Sequence, residues 1–221
     1  MTPMGSPAAS ALARPVDEVP AGSLRTLARL SRECEACPVS RLDNRTVFGE
    51  SPADAVVMLV GEQPGHEEDL AGRPFVGPAG QLLDRALEKA GLDRAQLYLT
   101  NAVKRFKYEP RGKVRLHKRA SASEQTACRP WLAAELALVT PRIVVALGAM
   151  AAQSFLGPAF RVSQSRGAWQ RRAALRVLAT WHPSAILRAR DVREQRFAEL
   201  VTDLRRVARA ARALRPATSK A

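Results

Sequence analysis

The chain has 221 residues, 46% of them hydrophobic, enough for one substantial buried core with tails. Its 35 Lys and Arg against 21 Asp and Glu leave a formal charge of +14, which points to a polyanionic partner, nucleic acid first, although a solvated basic surface would carry the same sign. Three cysteines are too few for a disulfide framework, no apolar run approaches the ~18 residues of a membrane span, and the first twenty positions lack a secretion signal, so the expectation is a cytoplasmic monomer with no membrane partner.

Residues 1–22, rich in Ala, Pro, Ser and Gly without periodicity, read as a disordered tail, and 213–221 as a basic tail in which Pro216 breaks the helical pattern. Between them, 23–212 read as one domain. Cys34 and Cys37 come first, a C-x-x-C pair whose third partner is the distant Cys128, a metal or iron–sulfur arrangement. Four apolar runs then read as buried strands: AVVMLV at 55–60, LYLT at 97–100, IVVAL at 143–147 and LRVLAT at 175–180. Helical patterns over 81–90, 123–139, 149–155 and 192–211 alternate with them, which predicts a three-layer α/β/α sandwich around a four-stranded parallel sheet.

Ligands of such sheets bind beyond the carboxyl ends of the strands. Strand one runs into Gly61-Glu62-Gln63-Pro64-Gly65, a turn that lacks both G-x-G-x-x-G and G-x-x-x-x-G-K-[ST], so nucleotide-cofactor binding is disfavoured; it reads either as a plain turn or as a loop that approaches a ligand closely. Phe75 sits in a Gly/Pro-rich loop, where it packs inward or stacks on a flat ligand. Asn101 ends strand two with an amide that can read a base edge or cap a turn. His182 follows strand four with its direction set by Pro183, placed either to donate to an oxygen that gains negative charge or to satisfy a backbone carbonyl.

The stretch from Lys104 to Arg119 carries eight Lys or Arg, one acid, Phe106, Tyr108 and His117. It reads as a DNA-facing loop, interrupted at Pro110 and Gly112, in which Lys104, Lys107, Arg111, Lys113, Lys118 and Arg119 hold phosphates and the aromatic rings stack beside bases. Ser184 joins that DNA-binding set from the strand-four loop.

Taken together, Cys34-x-x-Cys37, GEQPG at 61–65, GRPFVGPAG at 72–80, TNAVK at 100–104, KVRLH at 113–117, ACRPWL at 127–132 and HPSAIL at 182–187 resemble the family 4 uracil-DNA glycosylases, and within them the UdgX subgroup. The resemblance spans about 24–209. It implies a uracil-DNA glycosylase-like sandwich in which Gly61, Gln63, Phe75, Asn101 and His182 bind uracil, and in which Glu62, Gln63, Arg115, His117 and His182 form the catalytic set. His117 would be the nucleophile at C1′ of deoxyribose, leaving a covalent protein–DNA bond; an ordinary turnover glycosylase and a catalytically silent uracil-DNA-binding iron–sulfur protein are the alternatives. Uracil-containing DNA, preferably single-stranded, is the implied partner. The implied cofactor is a 4Fe–4S cluster on Cys34, Cys37 and Cys128, with Arg105 standing where the fourth ligand is expected. His66 stands where the subgroup carries an acidic residue.

Overall fold

A computed structural model describes residues 23–50 and 52–214. The expected tail 1–22 and all but the first two residues of 213–221 lie outside these. The described elements, in chain order, are α1 (Leu24–Arg32), β1 (Val57–Gly61), α2 (His66–Ala71), α3 (Pro78–Ala90), β2 (Leu97–Asn101), β3 (Tyr108–Arg111), β4 (Val114–His117), α4 (Ala122–Val139), β5 (Ile143–Leu147), α5 (Gly148–Leu156), α6 (Val162–Ser165), β6 (Trp169–Arg172), β7 (Leu175–Thr180), α7 (Pro183–Arg188) and α8 (Arg193–Leu214), with short 3-10 turns at Pro38–Arg41 and Arg94–Gln96.

The sheet runs β2-β1-β5-β7-β6. Its first four strands are parallel, as the apolar runs predicted, and β6 adds an antiparallel edge, so the count is five rather than four. The edge strand escapes the apolar signal because three of its four residues, WQRR, are polar and its last two are exposed. Every residue of β1, β2 and β5 is buried.

Alternation along the strands divides the core. Val57, Leu59, Leu97, Leu99, Ile143 and Val145 face α3, α7 and α8, whereas Met58, Val60, Tyr98, Val144 and Ala146 face α4 and α5. The helices are punctuated by their own ends. Pro78 opens α3 and Gly91 closes it at φ 71°, while Ser121 and Glu124 form a capping box at the start of α4. Leu200, Val201, Leu204, Val207 and Ala208 put the buried stripe of α8 on the sheet, and that helix continues through Leu214, beyond the boundary expected at 212. Among the described residues no helix is long and apolar enough to cross a membrane.

The basic segment is a β-hairpin, β3 with β4, paired from Tyr108↔His117 to Arg111↔Val114. Gly112, at φ 58°, takes the first position of its two-residue turn, where a type II′ hairpin requires glycine.

One polar group is built into the core. The Glu135 carboxylate, fully buried on α4, accepts from Tyr98 Oη (3.0 Å), from Thr100 Oγ1 (2.9 Å) and from the Gly49 backbone N–H (2.9 Å), and pairs with Lys104 Nζ at 2.5 Å. Burial beside this carboxylate pushes the Tyr98 phenol far up, so it stays a donor. A Glu135→Leu substitution strands the Lys104 ammonium in the core and is expected to cost about 3–5 kcal/mol in urea unfolding, most of which Lys104→Met on top of it recovers.

Candidate active site

The carboxyl ends of β1, β2, β5 and β7 open on one rim, and four sequence-predicted residues meet there. Gly61 pairs with Asn101 in register, and a Cβ on Gly61 would lie 2.4 Å from Asn101 Oδ1 and 2.6 Å from the Phe75 ring, so only glycine leaves room for both. Phe75 is buried with φ 55°, a left-handed conformation costing about 1–3 kcal/mol for a residue with a side chain. Gly80 makes that turn possible, since a Cβ there would stand 1.9 Å from the Phe75 carbonyl oxygen. The Phe75 ring lies 6.3 Å from the His182 ring, tilted 34°. Among the described residues, the Asn101 side-chain amide makes no hydrogen bond, which leaves both its donor and its acceptor for a ligand.

His182 caps α7. Its Nδ1 accepts the Ser184 backbone N–H (3.1 Å) and lies 2.8 Å from Ser184 Oγ. A neutral imidazole whose Nδ1 accepts carries its proton on Nε2, and that buried Nε2 has no partner within the described protein. Burial lowers the His182 pKa to about 4, with Arg188 and His117 acting in the same direction, so the ring is neutral at pH 7. Ser184, expected at DNA phosphates, is engaged instead in fixing this tautomer.

His117 ends the hairpin across the rim. Gln63 Nε2 donates to the carbonyls of Lys118 (3.0 Å) and Lys107 (3.3 Å) and lies 3.1 Å from His117 Nε2. The amide's two hydrogens serve these three neighbours, and because an amide nitrogen cannot accept, His117 takes part in the contact only as the tautomer with a lone pair on Nε2. The residue is exposed overall, yet the protein around its ring removes enough water to hold the imidazole below the usual histidine value; Glu62 opposes this shift and Arg188 reinforces it. These couplings place Glu62 and Arg188, the latter not foreseen from the sequence, within electrostatic reach of the ring.

Arg115 stands back from the rim. Its guanidinium donates to Asp69 Oδ2 (2.7 Å), to His66 Nδ1 (2.8 Å) and to the Asp43 carbonyl (3.2 Å), and lies 5.0 Å from the Tyr108 ring and 5.4 Å from the Phe106 ring. It latches the hairpin onto α2, and His66 serves as an acceptor in the latch. Phe106, expected beside bases, is buried beneath the hairpin. Glu68 does similar work for the loops, accepting from Gly65 N–H (3.0 Å) and Gly77 N–H (2.8 Å) and so tying GEQPG to the Phe75 loop. Glu68 and Asp69 were not foreseen; the acidic first turn of α2, HEEDLA, was the available signal.

Of the expected phosphate contacts, Arg111, Lys113, Lys118 and Arg119 are exposed on the hairpin or just beyond it, and Lys107 is half-buried against Glu124 at 2.8 Å. Lys104 is a correction. It is 1% exposed and donates to Asn101 O, Thr100 Oγ1 and Glu135, because its aliphatic stem continues a buried strand and a carboxylate waits on α4.

The three cysteines line one small pocket with Arg105 and Trp131. Trp131 Nε1–H approaches Cys34 Sγ (3.4 Å), and the Lys104 backbone N–H donates to Cys128 Sγ (3.2 Å), whose thiol is pushed up to about 11, chiefly by burial. As placed, no group of three or more Cys, His, Asp or Glu among the described residues forms a metal-binding arrangement. At the fourth corner Arg105 Nη1 donates to Asn44 Oδ1 (3.1 Å) and Asn44 O (3.2 Å), and Nη2 to the Arg32 carbonyl (2.8 Å). A guanidinium has no lone pair to give, so the set does not fit a cluster with four protein ligands.

A model of the uracil DNA glycosylase superfamily matches residues 48–205. The chain is 35% identical over 173 residues to a type-4 uracil-DNA glycosylase of Pyrobaculum aerophilum, covering 75% of this chain and 85% of that protein. It is 37% identical over 164 residues to the type-4 enzyme of Thermotoga maritima, covering 72% and 81%.

The depressed His182 pKa fixes a sign for stability. Between about 4 and 6.5 the unfolded chain binds a proton that the folded chain excludes, so stability is full above about 6.5 and falls as pH drops toward 4. His117 contributes in the same direction. Urea unfolding of the wild type should weaken progressively on acidification through this window, and His182→Gln should flatten the slope.

Proposed function

The chain belongs to the uracil-DNA glycosylase superfamily, and from that premise we propose that it excises uracil from DNA and keeps the opened sugar as a covalent adduct on His117. The observation that supports the second half is the 3.1 Å approach of Gln63 Nε2 to His117 Nε2, a contact suited to the tautomer with a lone pair on Nε2.

In this reading uracil stacks on Phe75, and the free amide of Asn101 pairs with its polar edge. As the N1–C1′ bond breaks, its electron pair leaves with the base, and the uncommitted His182 Nε2–H donates to the uracil oxygen where that charge collects. A neutral donor suits the task, since its proton is shared and the ring need not first acquire a charge in a buried place. The sugar becomes oxocarbenium-like, and the Glu62 carboxylate stabilises its positive charge. The Nε2 lone pair of His117, released as the two Gln63 N–H bonds settle on the Lys107 and Lys118 carbonyls, then closes on C1′, and the resulting imidazolium sheds its Nδ1 proton to solvent. Arg115 holds the hairpin in position rather than acting on the substrate.

The exposed arginines and lysines of the hairpin supply phosphate contacts, and extrusion of the base favours single-stranded uracil because less stacking is lost. An iron–sulfur cluster belongs to this reading as a structural group remote from the chemistry; no step passes through it.

The test is denaturing electrophoresis after mixing the protein with a uracil oligonucleotide. The expected result is a shifted band that survives SDS and heat in wild type and is absent in His117→Ala, whose product is free abasic DNA. Abasic DNA with no shifted band in wild type would identify a turnover glycosylase, and intact uracil DNA would leave binding alone. His182→Ala should slow base release by about 10²–10³-fold, as removal of an oxyanion donor does.

A further inference from the structure

The φ angle of Phe75 is a rotation about its N–Cα bond, so it is set by the peptide plane that carries the Pro74 carbonyl. That oxygen accepts from Arg94 Nη2 at 3.0 Å, across 20 residues of chain. Arg94 opens the 3-10 turn ahead of β2, and its guanidinium is itself held. Nη1 donates to Asp84 Oδ1 on α3 at 2.6 Å, and Nη2 lies 3.5 Å from Glu50 Oε1. Glu50 also accepts from Arg73 Nε (2.8 Å) and Nη2 (3.3 Å), and its backbone exchanges two hydrogen bonds with Leu99 in the middle of β2 (3.0 and 3.1 Å). The Pro74–Phe75 peptide is thus bracketed by two arginines that share one carboxylate, and that carboxylate is fixed to the strand that ends in Asn101.

We propose that Arg94 is a positioning residue for base recognition: by holding the Pro74 carbonyl it keeps Phe75 in the left-handed region and so sets the plane on which the uracil ring lies. The inference rests on the reading in which uracil stacks on Phe75. Two constraints meet at that residue. Gly80 leaves room for the Phe75 carbonyl, and Arg94 captures the carbonyl of Pro74, so glycine permits the turn and arginine selects it. Without the arginine nothing opposes the strain of a left-handed phenylalanine, and the ring relaxes from its place beside Gly61 and Asn101. A planar fork suits the task, because its two terminal nitrogens serve acceptors on two different elements.

The experiment is a double-mutant cycle on uracil release from a single-stranded uracil oligonucleotide, measured in single turnover over a range of protein concentrations, with thermal melting of each variant. Arg94→Ala is expected to slow release below saturation by about tenfold, the scale of the strain at one such residue. Arg94→Lys should recover part of the loss, since an ammonium can reach the carbonyl but does not hold Asp84 with a second fixed nitrogen. Phe75→Ala should slow release as well. The protein carrying both Phe75→Ala and Arg94→Ala decides the matter: it should match Phe75→Ala to within about twofold, because an arginine that acts through the ring has nothing left to position.

If the two losses multiply instead, Arg94 supports the fold in general and the inference falls. A wild-type rate in Arg94→Ala beside a slow Phe75→Ala overturns it as well, and leaves the stacking reading in place. A wild-type rate in Phe75→Ala removes the stacking reading and the inference with it. Should Arg94→Ala melt below the assay temperature, Asp84→Asn, which leaves the guanidinium without its brace on α3, takes its place in the same cycle with the same expectations.

Discussion

The Lys104–Glu135 pair is the interaction on which the other parts hang. The ammonium reaches the Asn101 carbonyl at 2.6 Å, so it fixes the end of β2 where the Asn101 amide emerges. The backbone N–H of the same residue donates to Cys128 Sγ, and its carbonyl receives Val47 N–H. One residue therefore joins the Asn101 amide, the cysteine pocket and the segment at Val47, and Glu135 joins all three to α4. A buried ion pair adds little net stability over an apolar pair of equal volume, but its geometry is demanding. What it contributes here is position.

The strands and long helices were legible because their periodicity is local. Alternation in AVVMLV or spacing in α8 is complete within a few turns of chain, so β1, β2, β5, β7 and the helices α3, α4, α5 and α8 could be read to within two or three residues, whereas the short α7 gave no such signal. The rim residues were legible for a related reason: a parallel sheet sends every strand end to the same side, so Gly61, Asn101 and His182 had to meet. Phe75 needed more, since its inward ring depends on Gly80 permitting a backbone contact five residues away.

What failed was pairing over distance. Lys104 looked like a phosphate ligand because it opens a basic run, and nothing local announces a carboxylate 31 residues later. Arg115 entered the catalytic set through the resemblance of KVRLH, while its partners Asp69 and His66 lie 46 and 49 residues upstream. In both cases the sequence showed the charge and concealed its owner. The hairpin read as a loop because its strands are short and polar, with period-two alternation reduced to Val114 and Leu116 on the exposed face. His66 gained a role only when Arg115 was seen to donate to it, which an acidic residue at that position would also accept.

The net charge and the two imidazoles pose a shared problem. A chain at +14 gathers phosphates, and a bound phosphate backbone would in turn draw protons onto nearby histidines. The proposed chemistry needs both rings neutral, one to donate and one to attack. Arg188 helps to reconcile these demands, since its guanidinium lowers the affinity of both His117 and His182 for protons while remaining exposed to meet DNA. Desolvation supplies the larger part of each shift, and it grows when a base fills the pocket and expels water. Glu62 pulls the other way on His117 alone, which suits a residue meant to balance positive charge on the sugar before the imidazole takes it over. Charge that attracts the substrate and charge that prepares the nucleophile are then the same charge, acting at two distances.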